Sequence, residues 1–142
     1  MKILVGIDGS KNALRALRFA IRLLRRIEGR HRSIVMLSVH DDTALRAASH
    51  FVGNEAVDDY LSDLSQADLA PAIALAAKSG LNYEAIEGRG PLASTIFDTA
   101  KAGKCDLIVL GSKGRSGIKD LLLGSVAQRV AAISNVPVTL VR

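Results

Sequence analysis

The chain has 142 residues, which predicts a single domain spanning residues 1–142, and its 49% hydrophobic and 23% charged residues exclude a disordered chain. The 19 Lys and Arg residues against 14 Asp and Glu residues give a formal net charge of +5, which suits an anionic ligand without identifying one. The lone cysteine, Cys105, excludes an internal disulfide and a multi-cysteine zinc site, and predicts an inert packed thiol in a reducing compartment.

Short apolar runs predict five β-strands, and segments with helical period separate them. The predicted strands are residues 2–7, 33–39, 82–86, 107–110 and 136–141. Helical periodicity covers residues 14–24, 57–76, 91–103 and 125–133, with Pro71 expected to kink or divide the second helix. Residues 43–56 have weak periodicity and predict a loop. Because the first apolar run reaches Asp8 too soon for a signal peptide or a membrane span, we expect a cytoplasmic protein without membrane insertion.

The alternation of strands and helices predicts an α/β fold, a doubly wound five-stranded parallel sheet sandwiched by helices. In such sheets a ligand binds beyond the carboxyl ends of the strands, where the strand order reverses beside the first strand. Two loops are therefore predicted to face a ligand. The first contains Asp8, Gly9 and Ser10, and the second follows the strand at residues 107–110.

The second loop predicts a cradle for an anion. Gly111, Gly114 and Gly124 let the backbone approach phosphate oxygens, and the helix that begins at Ser125 adds unpaired amides and a favourable dipole. The alternative interpretation is a mobile surface loop in which Ser125 only caps a helix.

Side chains in the two loops add hydrogen-bonding and charged groups. Ser112 supplies a hydroxyl donor, and Lys113, Arg115 or Lys119 could neutralise phosphate charge. Asp8 accepts hydrogen bonds when ionised, so it could bind ribose hydroxyls or an adenine amino group. These groups suit a phosphate-bearing ligand, but the glycines alone leave the interpretation as a surface loop favoured.

The spacing of the second loop also resembles a known family pattern. Gly111, two residues, Gly114, nine residues, and then Gly124 and Ser125 resemble the ATP-binding motif of the universal stress proteins. The flanking segments resemble that family as well, over essentially the whole chain. They are Ile3-Leu4-Val5-Gly6-Ile7-Asp8-Gly9-Ser10, Gly90-Pro91 before a helix, Asp106-Leu107-Ile108-Val109-Leu110 and Val136-Pro137-Val138-Thr139-Leu140-Val141-Arg142.

The resemblance implies a Rossmann-like fold of the adenine nucleotide alpha hydrolase type with strand order 3-2-1-4-5, and ATP as the ligand, with or without Mg²⁺. It implies that Asp8 and Val39 contact the adenosine, Val39 through its backbone. The phosphates would contact the motif glycines and Ser125. The full set of predicted binding residues is Asp8, Gly9, Ser10, Val39, Gly111, Ser112, Gly114, Arg115, Gly124 and Ser125.

The apolar run at residues 136–141 is expected at an exposed edge of the sheet, a position that proteins usually cover by pairing. The resemblance implies a homodimer in which this strand pairs antiparallel with its copy across a two-fold axis. Adenine nucleotide and a second copy of the chain are therefore the predicted partners.

Motifs for other functions are missing or incomplete in the sequence. The Lys-containing glycine pattern of a P-loop is absent, and of the residues that a response-regulator receiver requires only Asp8 fits. Asp41 and Asp42 could hold a metal but favour a solvated turn, and the histidines lack metal-site spacing. We predict no catalytic or metal-ligating residue, and we expect His40 near the adenine side.

The favoured function is an ATP-binding regulatory or stress-response protein that signals through nucleotide-dependent conformation and dimerisation, with at most slow hydrolysis. One alternative is a nucleotide hydrolase or transferase that uses Asp8 with Mg²⁺. Another is an interaction protein that binds no nucleotide and uses a basic stripe on the first helix, although a solvated face is favoured. This basic stripe comprises Lys11, Arg15, Arg18, Arg22 and Arg25. Nucleic acid is not expected, because no aromatic residues interleave with these charges.

Overall fold

Strands and helices alternate along residues 1–29, 31–114 and 123–142, the part of the chain that the computed structural model describes. The strands are β1 Lys2–Gly6, β2 Ser33–His40, β3 Asn82–Arg89, β4 Leu107–Gly111 and β5 Val138–Val141. The helices are α1 Lys11–Arg26, α2 Thr43–Ala47, α3 Ser49–Val52, α4 Asn54–Ala77, α5 Leu92–Ala102 and α6 Ser125–Ile133. Of these helices, none combines the length and the apolar character needed to cross a bilayer.

The strands form one sheet in the order β3-β2-β1-β4-β5, and every neighbouring pair is parallel. Ile3 of β1 lies opposite Ile34 of β2 on one side and Leu107 of β4 on the other. The predicted doubly wound fold and its strand order 3-2-1-4-5 are confirmed. Because the order reverses beside β1, a crevice is expected at the carboxyl end of that strand.

Alternate residues of the central strands pack against helices on opposite faces of the sheet. Ile3 and Met36 join the layer with α1 and α4, whereas Leu4, Val35 and Ile108 join the layer with α5 and α6. All of these side chains are buried. A sheet covered on both faces needs apolar residues at every position, which explains why the strands are visible in the sequence as continuous apolar runs.

Two helical predictions differ from the structure in detail. Of the expected kink or division at Pro71, the division is wrong, because α4 runs unbroken from Asn54 to Ala77. Proline has no amide hydrogen, so the carbonyl of Ala67, four residues before Pro71, has no partner within the helix. Both residues lie on the exposed side of α4, where water can bind that carbonyl. Much of the predicted loop at residues 43–56 is helical as α2, α3 and the start of α4.

The helices in this region are held by charged side chains rather than by a regular apolar pattern. The guanidinium of Arg46 forms an ion pair with Asp42, four residues earlier, and another with Asp58 of α4 at 2.8 Å. These contacts join α2 to α4. Since charged side chains make both contacts, and Asp58 lies in another helix, the hydrophobic pattern could not predict them.

The ends of two strands also differ from the predictions. β3 continues past residue 86 to Arg89, paired with His40 of β2. β5 begins only at Val138, because the hydroxyl of Ser134 accepts from the amide of Val136 at 3.0 Å and donates to its carbonyl at 2.7 Å. Those backbone groups are therefore already paired before the strand starts.

Replacing Pro71 by Ala should stabilise the protein. The Pro71→Ala substitution restores an amide donor and removes a ring clash on the exposed side of α4, so the free energy of unfolding should rise by about 1–3 kcal/mol. Urea denaturation followed by circular dichroism measures this change. The matched control, Ala74→Pro, lies at another exposed position of the same helix and should instead lower stability by about 3 kcal/mol. A loss of stability in Pro71→Ala would contradict this account.

Candidate functional site

A cavity of about 360 Å³ opens at the carboxyl ends of β1, β2 and β4. Its volume lies within the range of about 300–1,000 Å³ that is typical of small-ligand pockets. The first residues of α5 and α6 complete its wall, through Leu92 and Ser125 respectively. The cavity therefore lies at the reversal of strand order, where ligands of open α/β sheets bind.

Most of the residues predicted from the sequence meet in this cavity. Those that line it are Asp8, Ser10, Val39, Gly111, Gly114, Gly124 and Ser125. Gly9 and Ser112 do not belong to its lining: Gly9 forms a turn with a positive φ of 78°, and Ser112 is buried beside the cavity. Arg115 lies outside the described residues, as does Lys119.

The turn after β1 fixes the position of Asp8. The amide of Ser10 donates to Oδ1 of Asp8 at 3.0 Å, and Gly9 adopts the left-handed conformation that this turn requires. Ser10 is also the N-cap of α1, because its hydroxyl oxygen accepts from the amide of Ala13 at 3.1 Å. The hydroxyl of Ser10 therefore has a structural role, although its own proton can still be donated to a ligand.

The loop after β4 packs against the beginning of α1. A Cβ on Gly111 would lie 3.0 Å from the backbone carbon of Asn12, and a Cβ on Gly114 would lie 3.1 Å from Oδ2 of Asp8. The side-chain amide of Asn12, through Nδ2, also donates to the main-chain carbonyl of Lys113 at 3.1 Å. Because these glycines have no side chain, the loop can pack closely against α1 and Asp8, and space remains for a ligand.

The first turn of α6 presents main-chain amides to the cavity. Gly124 is its N-cap without a side-chain capping bond, and the amide of Gln128 donates to the carbonyl of Gly124 at 3.0 Å. The three residues before Gln128 therefore have no acceptor within the helix for their amides. Since Ser125, Val126 and Ala127 all line the cavity, this helix end suits an anion.

The opposite side of the cavity carries a buried polar cluster that the sequence did not reveal in full. His40 and Asp68 both line the cavity, and Nε2 of His40 lies 3.0 Å from Oδ2 of Asp68. The buried hydroxyl of Ser38 donates to the same carboxylate oxygen at 3.2 Å. Asp68 interrupts the buried stripe of α4 together with Ser65, and this acid among apolar positions is the signal that could have predicted it.

This cluster does not have the geometry of a serine nucleophile with its base. Such a site needs the hydroxyl on one ring nitrogen of the histidine and the carboxylate on the other. Here Nε2 of His40 faces both Asp68 and, at 3.5 Å, the hydroxyl of Ser38. Ser38 is also fully buried, so its hydroxyl cannot approach a substrate.

Asp41 and Asp42 support local structure. The hydroxyl and the amide of Thr43 donate to Oδ1 of Asp41 at 2.6 and 3.0 Å, and these bonds lower the pKa of the Asp41 carboxyl. Asp42 pairs with Arg46. The prediction of a solvated turn fits Asp41, which is exposed, but is wrong for Asp42, which is buried. The described residues contain no group of three or more His, Cys, Asp or Glu side chains that could hold a metal ion.

Two other predicted features lie away from the cavity. Cys105 is buried, and burial raises the pKa of its thiol, which agrees with the prediction of an unreactive group. The basic stripe is exposed along α1, a helix that contains no acidic residue. Exposure of the stripe fits both a solvated face and a contact surface.

The model of the Universal stress protein family matches residues 1–142. Universal stress protein YxiE of Bacillus subtilis (strain 168) is 32% identical to this chain over 148 residues, covering 99% of this chain and 98% of the relative.

Solved structures give the same result for the fold. The structure of the hypothetical protein MJ0577 superimposes with a TM-score of 0.85 at 25% sequence identity, covering 99% of this chain and 94% of that one. A universal stress protein in complex with cAMP superimposes with a TM-score of 0.73, also at 25% identity, covering 100% of this chain and 97% of that one.

The packing of the glycines predicts different costs for two alanine substitutions. Gly111→Ala forces a methyl group against the backbone of α1, so it should lower the free energy of unfolding by about 1–3 kcal/mol. Gly114→Ala meets only Oδ2 of the Asp8 side chain, which needs to shift by only a few tenths of an ångström, so it should cost less than about 1 kcal/mol. Urea denaturation of both variants tests this order, and a larger cost for Gly114→Ala would contradict it.

Proposed function

The chain belongs to the universal stress protein family, and from this premise we propose that it is a single-domain stress-response regulator that binds an adenine nucleotide, with ATP and its Mg²⁺ as the ligand. One observation carries this proposal: residues distant in the sequence, predicted to contact a nucleotide, line a single cavity. The complex of a related universal stress protein with cAMP, itself an adenine nucleotide, supports it.

The two sides of the cavity suit the two ends of a nucleotide. Amides at the start of α6 and the small Gly114 and Gly124 leave room and hydrogen-bond donors for phosphate oxygens. Val39, at the end of β2, lies on the other side, and Asp8 follows β1 between the two, with its Oδ2 3.1 Å from where a Cβ on Gly114 would lie. Hydrogen-bond acceptors at these two residues can meet ribose hydroxyls and the base. Bound Mg²⁺ would neutralise part of the phosphate charge.

In this proposal the nucleotide acts through binding rather than turnover. A ligand shifts a conformational equilibrium by the difference in its affinity for the two states, so signalling requires no catalytic base. The contacts of the cavity support this choice, because Asp8 is held by the amide of Ser10 and the hydroxyl of Ser38 is buried.

Calorimetric titration of ATP with Mg²⁺ tests the site directly. Wild-type protein should bind with a dissociation constant on the order of micromolar. Gly114→Asp places a second carboxylate beside Oδ2 of Asp8, and its repulsion of the phosphates should weaken ATP binding at least about tenfold.

Two controls separate charge from size. Gly114→Asn introduces a side chain of nearly the same volume without the charge, so it should retain more affinity for ATP than Gly114→Asp. Adenosine, which has no phosphate, should bind the Asp and Asn variants equally well. If wild-type protein binds no adenine nucleotide, the proposed function is wrong.

We extend the proposal to a homodimer formed through β5. This strand is at the edge of the sheet, and β4 forms backbone hydrogen bonds with only every second residue of it. The amides of Ile108 and Ser112 donate to the carbonyls of Pro137 and Val141 at 2.9 and 2.7 Å, so the backbone groups of Val138 point away from β4. An edge strand with such open groups is a template for pairing with a second copy.

Removing one outward amide should therefore prevent pairing. We expect light scattering after gel filtration to give a dimer for wild-type protein at micromolar concentration and a monomer for Val138→Pro, which loses no hydrogen bond to β4. Val138→Ala keeps the amide and should remain dimeric. A monomeric wild-type protein would contradict the dimer while leaving the nucleotide site untouched.

A further inference from the structure

The polar cluster of Ser38, His40 and Asp68 lies away from the start of α6, and two of its members, His40 and Asp68, line the cavity. Ser38 is fully buried and Asp68 is 5% exposed, so the chain places a carboxylate inside its core at this point. A buried carboxylate is costly unless hydrogen bonds satisfy it. Ser38 and His40 supply those bonds, and His40 is the member that reaches the cavity beside Asp68.

The contact with Asp68 fixes which nitrogen of His40 carries a proton. A carboxylate only accepts hydrogen bonds, so Nε2, at 3.0 Å from Oδ2 of Asp68, must be the donor. In the neutral ring Nδ1 is then an acceptor. Within the described part of the chain, the hydrogen bonds of the ring, to Asp68 and to Ser38, are made by Nε2, and none is made by Nδ1.

His40 lies on the side of the cavity where the base of a bound nucleotide belongs. β2 and β4 flank β1 on opposite sides, so their carboxyl ends are roughly 10 Å apart at the usual spacing of strands. Phosphates held at the β4 and α6 side place the base near the end of β2. This placement rests on the proposed function.

We propose that His40 is a specificity-determining residue that selects adenine through Nδ1, with Asp68 as the positioning residue that fixes its tautomer. Adenine carries an amino group at the 6-position, which can donate to Nδ1. Guanine and hypoxanthine carry a carbonyl oxygen there, which offers no proton and faces the lone pair of Nδ1. The neutral ring therefore favours adenine and disfavours both other purines.

Protonation of His40 reverses this preference, because Nδ1 then donates and suits a carbonyl. The charged groups around the ring come from several elements. They are Asp68 of α4, Asp8 after β1, Asp41 after β2, Arg89 opposite His40 on β3, and Lys113 after β4. Arg89 is held by Ser65 and Glu87, at 3.1 Å from each. Phosphate binding alone would not make the base preference depend on the protonation of His40.

Calorimetric titration with ATP and with ITP, its 6-carbonyl counterpart, tests the proposal at about pH 8 and about pH 5.5. Wild-type protein should prefer ATP at least about tenfold at the higher pH, and this ratio should fall to less than about threefold at the lower pH. His40→Gln keeps a donor near the position of Nε2 but lacks Nδ1. Because a Gln amide gains no proton over this pH range, the variant should show the same ratio of ATP to ITP affinity at both pH values.

Asp68→Asn adds a readout that a purely structural role would not move. An amide at residue 68 can donate to Nε2, which places the ring proton on Nδ1 and should shift the preference toward ITP at the higher pH. Thermal denaturation establishes whether each variant is folded. If Asp68→Asn does not fold, His40→Gln alone is enough to test the proposal.

The possible outcomes separate this proposal from the proposed function. Wild-type binding of ATP and ITP with equal affinity at both pH values would overturn the role of His40 while leaving nucleotide binding in place. A pH-dependent ratio that persists in His40→Gln would overturn it as well. Failure of wild-type protein to bind either nucleotide would overturn the proposed function, and the role of His40 with it.

Discussion

The cavity depends on the reversal of strand order beside β1. The connection through α1 leads from β1 to β2 on one side, whereas the connection through α5 leads from β3 to β4 on the other side of β1. Since all strands are parallel, the loops after β1, β2 and β4 meet at one edge of the sheet without a helix crossing the gap between them. Residues as distant in sequence as Asp8 and Ser125 come together for this reason alone, before any side-chain contact is considered.

Close packing at this edge explains why glycine recurs there. A Cβ on Gly6 would lie 2.6 Å from Cδ2 of Leu110, and one on Gly111 would lie against the backbone of α1. These two glycines let β1, β4 and α1 approach one another. Gly114 and Gly124 border the cavity itself, so their small size also leaves room for a ligand. A glycine motif of this kind therefore serves both close packing and ligand space. Comparing a charged substitution with a neutral one of the same size can separate these two requirements.

The sequence predicts best the elements whose pattern is set by burial. β1, β2, β4 and β5 follow from apolar runs, and α6, with its bounds at Ser125 and Ile133, follows from helical period. β3 is a predicted strand of a different kind, because most of its residues are exposed. Residues 43–56 could not be predicted, because ion pairs of Arg46 with Asp42 and Asp58 hold them. Asp68 was missed for a related reason. Its partners on β2 lie about thirty residues away in sequence, and only the folded chain brings Ser38 and His40 to it.

The two sides of the cavity differ in a way that separates affinity from selectivity. On the α6 side the hydrogen-bond donors are main-chain amides, whose charge distribution does not change with pH and does not depend on the base of a nucleotide. On the β2 side the groups are His40 and Asp68, whose hydrogen bonding depends on protonation. In the proposed complex, the first side supplies most of the binding energy for any nucleotide with phosphates. The second side decides which base is accepted, so substitutions at His40 change selectivity while the phosphate contacts persist.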